Sequence, residues 1–257
     1  MPISTTRDPQ SVDRGLGLAW IALAAGLLPV VVVHTCYVVS VQAGLIPGCI
    51  PYVSGCTSIS AAGRYGAAYF IFKGGMIPAA VIMAAYWVLC RRWLLSLGAG
   101  DSAAVKAMVM LGVISAAFLV LYTVYLGSKG DFYNLMRRYG VNIHLSFGVL
   151  AQMLLARELA RLPVALRTAM PRWIVNGKLL TVGILLALGL ASIPVGNFIP
   201  DKDRGENVIE WLFAALMAGY YLLTACAWQA TDFRAALSVA SASRPGNKTG
   251  LARRRTI

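Results

Sequence analysis

Acidic residues are scarce: 10 Asp and Glu stand in 257 positions, and even with 23 Lys and Arg only 13% of the chain is charged. A soluble globular domain carries about a quarter charged residues, so this composition excludes one. There are 2 histidines, and neither accompanies a cysteine pair, which leaves no ligand set for a structural metal. No serine elbow, HExxH pair, Walker loop or pair of intramembrane aspartates occurs, so no reaction is specified by motif. No basic domain stands apart from the apolar segments, which argues against a nucleic-acid partner in spite of a net charge of +13.

What the chain has is hydrophobicity, at 58% of residues and a mean hydropathy of +0.69. Six apolar runs, 16–41, 66–90, 107–127, 139–156, 179–199 and 208–231, are each long enough to cross about 30 Å of hydrocarbon. They are continuous rather than alternating with period two, so backbone satisfaction in lipid predicts helices and not a barrel. The expected fold is an all-α polytopic membrane protein, a six-helix bundle over 16–234 with an outer loop at 42–65. Flanking it are an N-terminal tail, 1–15, and a disordered basic tail, 235–257, too poor in apolar residues to fold. Sixteen of the Lys and Arg, Lys178 among them, fall on the side that holds both tails, against six on the other; both termini are therefore expected in the cytoplasm. The chain reads as an integral multi-pass protein of a plasma, inner or internal membrane, with protein partners or self-association left open.

Cys36, Cys90 and Cys226 fall in or beside helices as small hydrophobes. Cys49 and Cys56 share the outer loop and flank Pro51 and Gly55, so a local disulfide or two free thiols both fit.

Ionisable groups inside lipid cost several kcal/mol unless they meet a partner or a watery cavity. Lys73 is expected about 10 Å inside the outer boundary and His144 about 8 Å, with His34 and Glu210 at similar depth on two further helices. This coincidence outlines a polar pocket near the outer leaflet. Lys73 and Glu210 are natural charge partners there, and His144 is a candidate acid/base or headgroup donor. Each has a structural alternative: an ion pair for Lys73, a cross-bundle hydrogen bond for His144, a helix-start carboxylate for Glu210. Gly140, His144, Gly148 and Gln152 form a small and polar stripe, and Glu210, Ala214, Met217, Tyr221 and Thr224 form another. Gly74, Gly75 and Pro78 are expected to bend or open the second helix.

Short motifs then become legible. The loop carries Cys49, Pro51-Tyr52-Val53-Ser54 and Ser58-Ile59-Ser60-Ala61-Ala62-Gly63; the fourth helix opens with Asn142-Ile143-His144; the sixth begins Asn207-Val208-Ile209-Glu210-Trp211 and closes with Trp228 and Asp232-Phe233. Across 16–234 these resemble the six-helix family that includes the damage-regulated autophagy modulators (DRAM) and the factor that remodels GPI-anchor lipids. The resemblance implies lipid remodelling, lipid distribution or autophagy regulation. The outer-loop serines lack the acidic and proline residues that often follow them in that family.

The reading is a protein that engages or remodels a phospholipid or glycolipid and carries no cofactor. Were it an acyl hydrolase or acyltransferase, His144 would serve as acid/base, Lys73 as phosphate or carbonyl partner and Glu210 as orienting group. Arg64, Arg138, Asn142, Gln152 and Tyr221 are the candidate substrate contacts. Rival readings are a non-catalytic scaffold, a haem carrier ligated by His34 and His144, and a small-solute transporter.

Overall fold

In a computed structural model, which describes residues 15–163, 170–198 and 201–235, the fold is all-α. Six helices are long and apolar enough to cross a membrane: α1 (Ala19–Gln42), α4 (Gly66–Ser96), α5 (Ala103–Tyr125), α6 (Asp131–Arg161), α7 (Arg172–Phe198) and α8 (Lys202–Ala230). Two single-turn helices, α2 (Pro51–Ser54) and α3 (Ile59–Ala62), lie in the loop after α1, and β1 (Leu16–Gly17) pairs with β2 (Arg234–Ala235). The helical unit spans Gly17–Phe233, and every feature below belongs to it. Of the expected tails, only Gly15 and Ala235 fall within the described residues.

Each long helix packs on its neighbour in the chain, and α8 closes the ring against α1. Such a ring encloses space between its members, and that space is where the polar groups gather. The outward surface is apolar, with Phe70, Val81, Leu180 and Leu190 among its exposed side chains. In water such a surface is an aggregation liability; in hydrocarbon it is the required solvent contact.

The helices outrun the apolar segments. α6 starts at Asp131 and α7 at Arg172, eight and seven residues before the hydropathy boundaries at 139 and 179. A helix needs internal hydrogen bonds, not apolar side chains, so it continues past the hydrocarbon through polar turns. Lys178 is displaced by this extension. The sequence puts it in a cytoplasmic loop, but it is fully buried within α7. Its amine donates to Thr224 Oγ1 at 2.6 Å and to the Tyr220 carbonyl at 3.3 Å, above the Tyr220 ring. α4 is not opened at Gly74, Gly75 and Pro78 but runs through them as one helix. Gly75 sits so close to the Val32 side chain of α1 that a Cβ would overlap it, which makes that glycine a packing site and not a break.

The interior is aromatic. Tyr86, Trp87, Tyr221 and Trp228 interlock edge to face and stacked, with ring centroids 4.8–6.2 Å apart. Tyr86 shares a 2.7 Å hydrogen bond with Thr224, tying α4 to α8.

At the turn between α4 and α5, Arg91 donates to both carboxylate oxygens of Asp101 at 2.9 and 2.7 Å, and Lys106 stands 3.7 Å away. The Arg91 hydrogen bond holds the Asp101 carboxyl below the ordinary carboxylate range. A depressed folded-state value stabilises above the unfolded pKa and is lost as pH falls through the folded one. Stability is therefore expected to decline below about pH 4, modestly, since the pair is exposed. Asp101→Asn should flatten that decline in detergent melts taken between about pH 3 and pH 7, and an unchanged acid slope would exclude the clamp.

Candidate functional site

The loop after α1 is folded by its own chemistry. Cys49 and Cys56 are joined in a disulfide with Cα atoms 6.5 Å apart, and Gly55 between them adopts φ 58°, a region that favours glycine. Tyr37 from α1 pins the start of this loop, donating to the Cys49 carbonyl at 2.6 Å and accepting its N–H at 2.7 Å. From α8, Asn207 donates to the Gly55 carbonyl at 2.9 Å and Trp211 Nε1 to the Thr57 carbonyl at 3.0 Å. The loop thus lies as a lid over the α1 and α8 ends.

Beneath it is a chamber of about 90 Å³ lined largely by apolar side chains, into which His34, Tyr52, Tyr122, His144 and Glu210 also face. His34 is fully engaged, since Nδ1 donates to the Val30 carbonyl at 2.7 Å and Nε2 accepts from Tyr52 at 3.0 Å. Burial pushes the Tyr52 phenol up, which keeps it a donor. Both ring nitrogens of His34 are therefore engaged within the protein. His144 differs. Its Nδ1 lies 3.0 Å from the Ser115 carbonyl and from Ser115 Oγ, and Ser115 Oγ donates to the His144 carbonyl at 2.7 Å. The carbonyl contact places the proton on Nδ1, so Nε2 is left as a proton acceptor.

Glu210 faces the start of the short α3, close to the backbone amides of Ile59 and Ser60. The expected pairing with Lys73 is therefore not made. Lys73 faces α5, donating to the Val124 carbonyl at 2.8 Å and to Tyr69 at 2.6 Å, and it lines neither cavity described here. Val124 is in the last turn of α5, where carbonyls lack intrahelical partners and a cation is favoured. Lys73 is a helix cap. Gln152 is a second correction: it is fully buried, donates to the Met217 carbonyl at 3.3 Å, and lines neither cavity.

Next to the chamber is a larger polar vestibule of about 820 Å³ between α6, α7 and α8. Arg137, Arg138 and Asn142 line its α6 wall and Glu206 and Glu210 its α8 wall. Chamber and vestibule share Tyr122, Val141, Leu145 and Glu210. Tyr122 is 4% exposed and its hydroxyl has no hydrogen-bond partner among the described residues. Of the other expected contacts, Tyr221 closes the deep end of the chamber, and Arg64 lies outside it with Nη2 on Ser60 Oγ at 3.1 Å. Sequence reasoning missed Tyr122 and Arg137. Arg137 was legible, for it precedes Val141 and His144 by one and two helical turns; Tyr122 sits in an apolar run where no charged residue marks its face.

Comparison of the chain with protein-family models, curated proteins and solved structures finds no match.

Proposed function

We propose that this protein binds a membrane lipid, with the headgroup in the vestibule and the first part of an acyl chain in the chamber. The observation that carries this reading is the adjacency of the two spaces: a polar compartment with charge on two walls shares Tyr122, Val141, Leu145 and Glu210 with a small apolar one. Amphiphiles match that combination, and small polar solutes have no use for the apolar half. The short motifs that resemble those of the DRAM and GPI-anchor remodelling family point the same way. A hydrolytic or acyl-transfer step on such a lipid would use His144 Nε2 as the proton acceptor, with Glu210 at the junction where an ester linkage would lie.

Native mass spectrometry of the full chain in mild detergent tests the reading. The wild type is expected to retain a defined lipid mass, and Leu145→Trp, which fills the junction of the two cavities, to lose it. Lys73→Met, altered outside both, should keep it. No adduct on a folded wild type, or equal adducts on all three proteins, would overturn the proposal.

A further inference from the structure

Beyond the vestibule, at the same end of the bundle, is a separate concavity of about 190 Å³ lined by Arg64, Lys129 and Arg137 with the turn 127–130 and Asn134. No carboxylate lines it, and none of the three cations forms an ion pair among the described residues. Arg137 is close enough to Arg64 and Arg138 to be repelled by both. Arg64 adds a buried Nε with no hydrogen-bond partner among the described residues. Glu210 is close enough to Arg64 to feel its charge but lies outside the concavity, so three cations gathered there raise the energy of the protein alone and lower it with an anion bound. The backbone is arranged to the same end. Gly127 and Gly130 hold φ of 85° and 121°, and Gly130 is the N-cap of α6, whose first turn receives no side-chain cap. Its free N–H groups and dipole favour negative charge. Asp131, in that first turn, is exposed and does not line the concavity.

We propose that this cradle binds a dianionic phosphate, the phosphomonoester or diphosphate end of a ligand. A phosphodiester brings one negative charge, whereas a phosphomonoester brings about two near pH 7, closer to what three unpaired cations require. Arg137 and Asn134 line both cradle and vestibule, so a phosphate here joins directly to a headgroup there. The inference rests on the lipid reading for that source of phosphate; free phosphate offers the same chemistry.

The test is competition on the full-length protein in mixed micelles. Phosphatidic acid, a phosphomonoester lipid, is expected to bind at least about tenfold more tightly than phosphatidylglycerol, a phosphodiester, at matched ionic strength. Inorganic pyrophosphate should displace it, and Lys129→Gln and Arg64→Gln should each abolish the preference. Lys129→Gln is the safer variant, because Lys129 makes no hydrogen bond among the described residues whereas Arg64 holds Ser60. Pyrophosphate binding that is lost in Lys129→Gln, without a preference between the two lipids, would keep the cradle and assign it to free phosphate. Equal retention of both lipids with no pyrophosphate binding would overturn the cradle and leave the lipid reading standing. Pyrophosphate binding that is lost in Lys129→Gln, with a folded wild type that retains no lipid, would do the reverse.

Discussion

Trp211→Ala is expected to lower stability by about 3–5 kcal/mol, the cost of removing a large buried aromatic from a packed site. Trp211 is fully buried, and its ring meets those of His34, Tyr37 and Tyr52 at 5.5, 6.0 and 5.4 Å. It is the contact through which α8, α1 and the disulfide loop recognise one another. Its Nε1 also satisfies the Thr57 carbonyl, so truncation both opens a void and strands an acceptor. Trp211→Phe separates the terms: it keeps most of the ring and removes only the hydrogen bond, for about 1–3 kcal/mol with the acceptor left unpaired. Because the ring is also chamber wall, the alanine variant should lose its lipid adduct before it unfolds. Detergent melts followed by tryptophan fluorescence measure the order of the three proteins. An unchanged midpoint in Trp211→Ala would show that the loop is not held from α8.

The six spans are legible because lipid imposes one severe rule, that every backbone polar group be paired within the segment. Hydropathy reads that rule well and reads helix ends badly. The stretch before residue 139 carries Asp131, Asn134, Arg137 and Arg138, looks like a loop, and is helix in its entirety. Lys178 escapes notice for the same reason, since a lysine next to an apolar run is normally a boundary and here is a buried donor to α8. Depth is legible too. His34, His144 and Glu210, placed by rise per residue alone, all face the one chamber. Depth does not fix azimuth, however, and Lys73 at similar height is turned to the end of α5. Its partner is a backbone carbonyl, and carbonyls leave no trace in a sequence. The same holds for Glu210, which lies close to the first amides of a single-turn helix.

A graded series at Gly140 is expected to show that the seam between α5 and α6 controls both stability and the site. A Cβ there would lie 2.8 Å from the Tyr122 backbone nitrogen and 2.9 Å from its Cα, and these are backbone atoms that no rotamer change can move. Two effects compete in Gly140→Ala. Helix propensity favours alanine by about 0.5–1 kcal/mol, while overpacking a tight interface costs about 1–3 kcal/mol. The second wins here because relief requires shifting α5 as a body, so alanine should destabilise and leucine more so. Gly183 and Gly219 provide the opposite case, with nothing within 4 Å of the point where an added methyl would sit, and alanine at either should stabilise by about the propensity term. The shift also reaches the chemistry. Tyr122 is on the shared wall of chamber and vestibule, and one turn further along α6 His144 holds Ser115 of α5 at 3.0 Å. Prising the helices apart at Gly140 therefore moves the Tyr122 hydroxyl and loosens the bond that sets the His144 proton. Gly140→Ala should reduce lipid retention at temperatures where the bundle is still folded, and Gly219→Ala should not. Equal melting shifts of one sign at both glycines would mean that propensity alone is being read and that the seam is not close-packed.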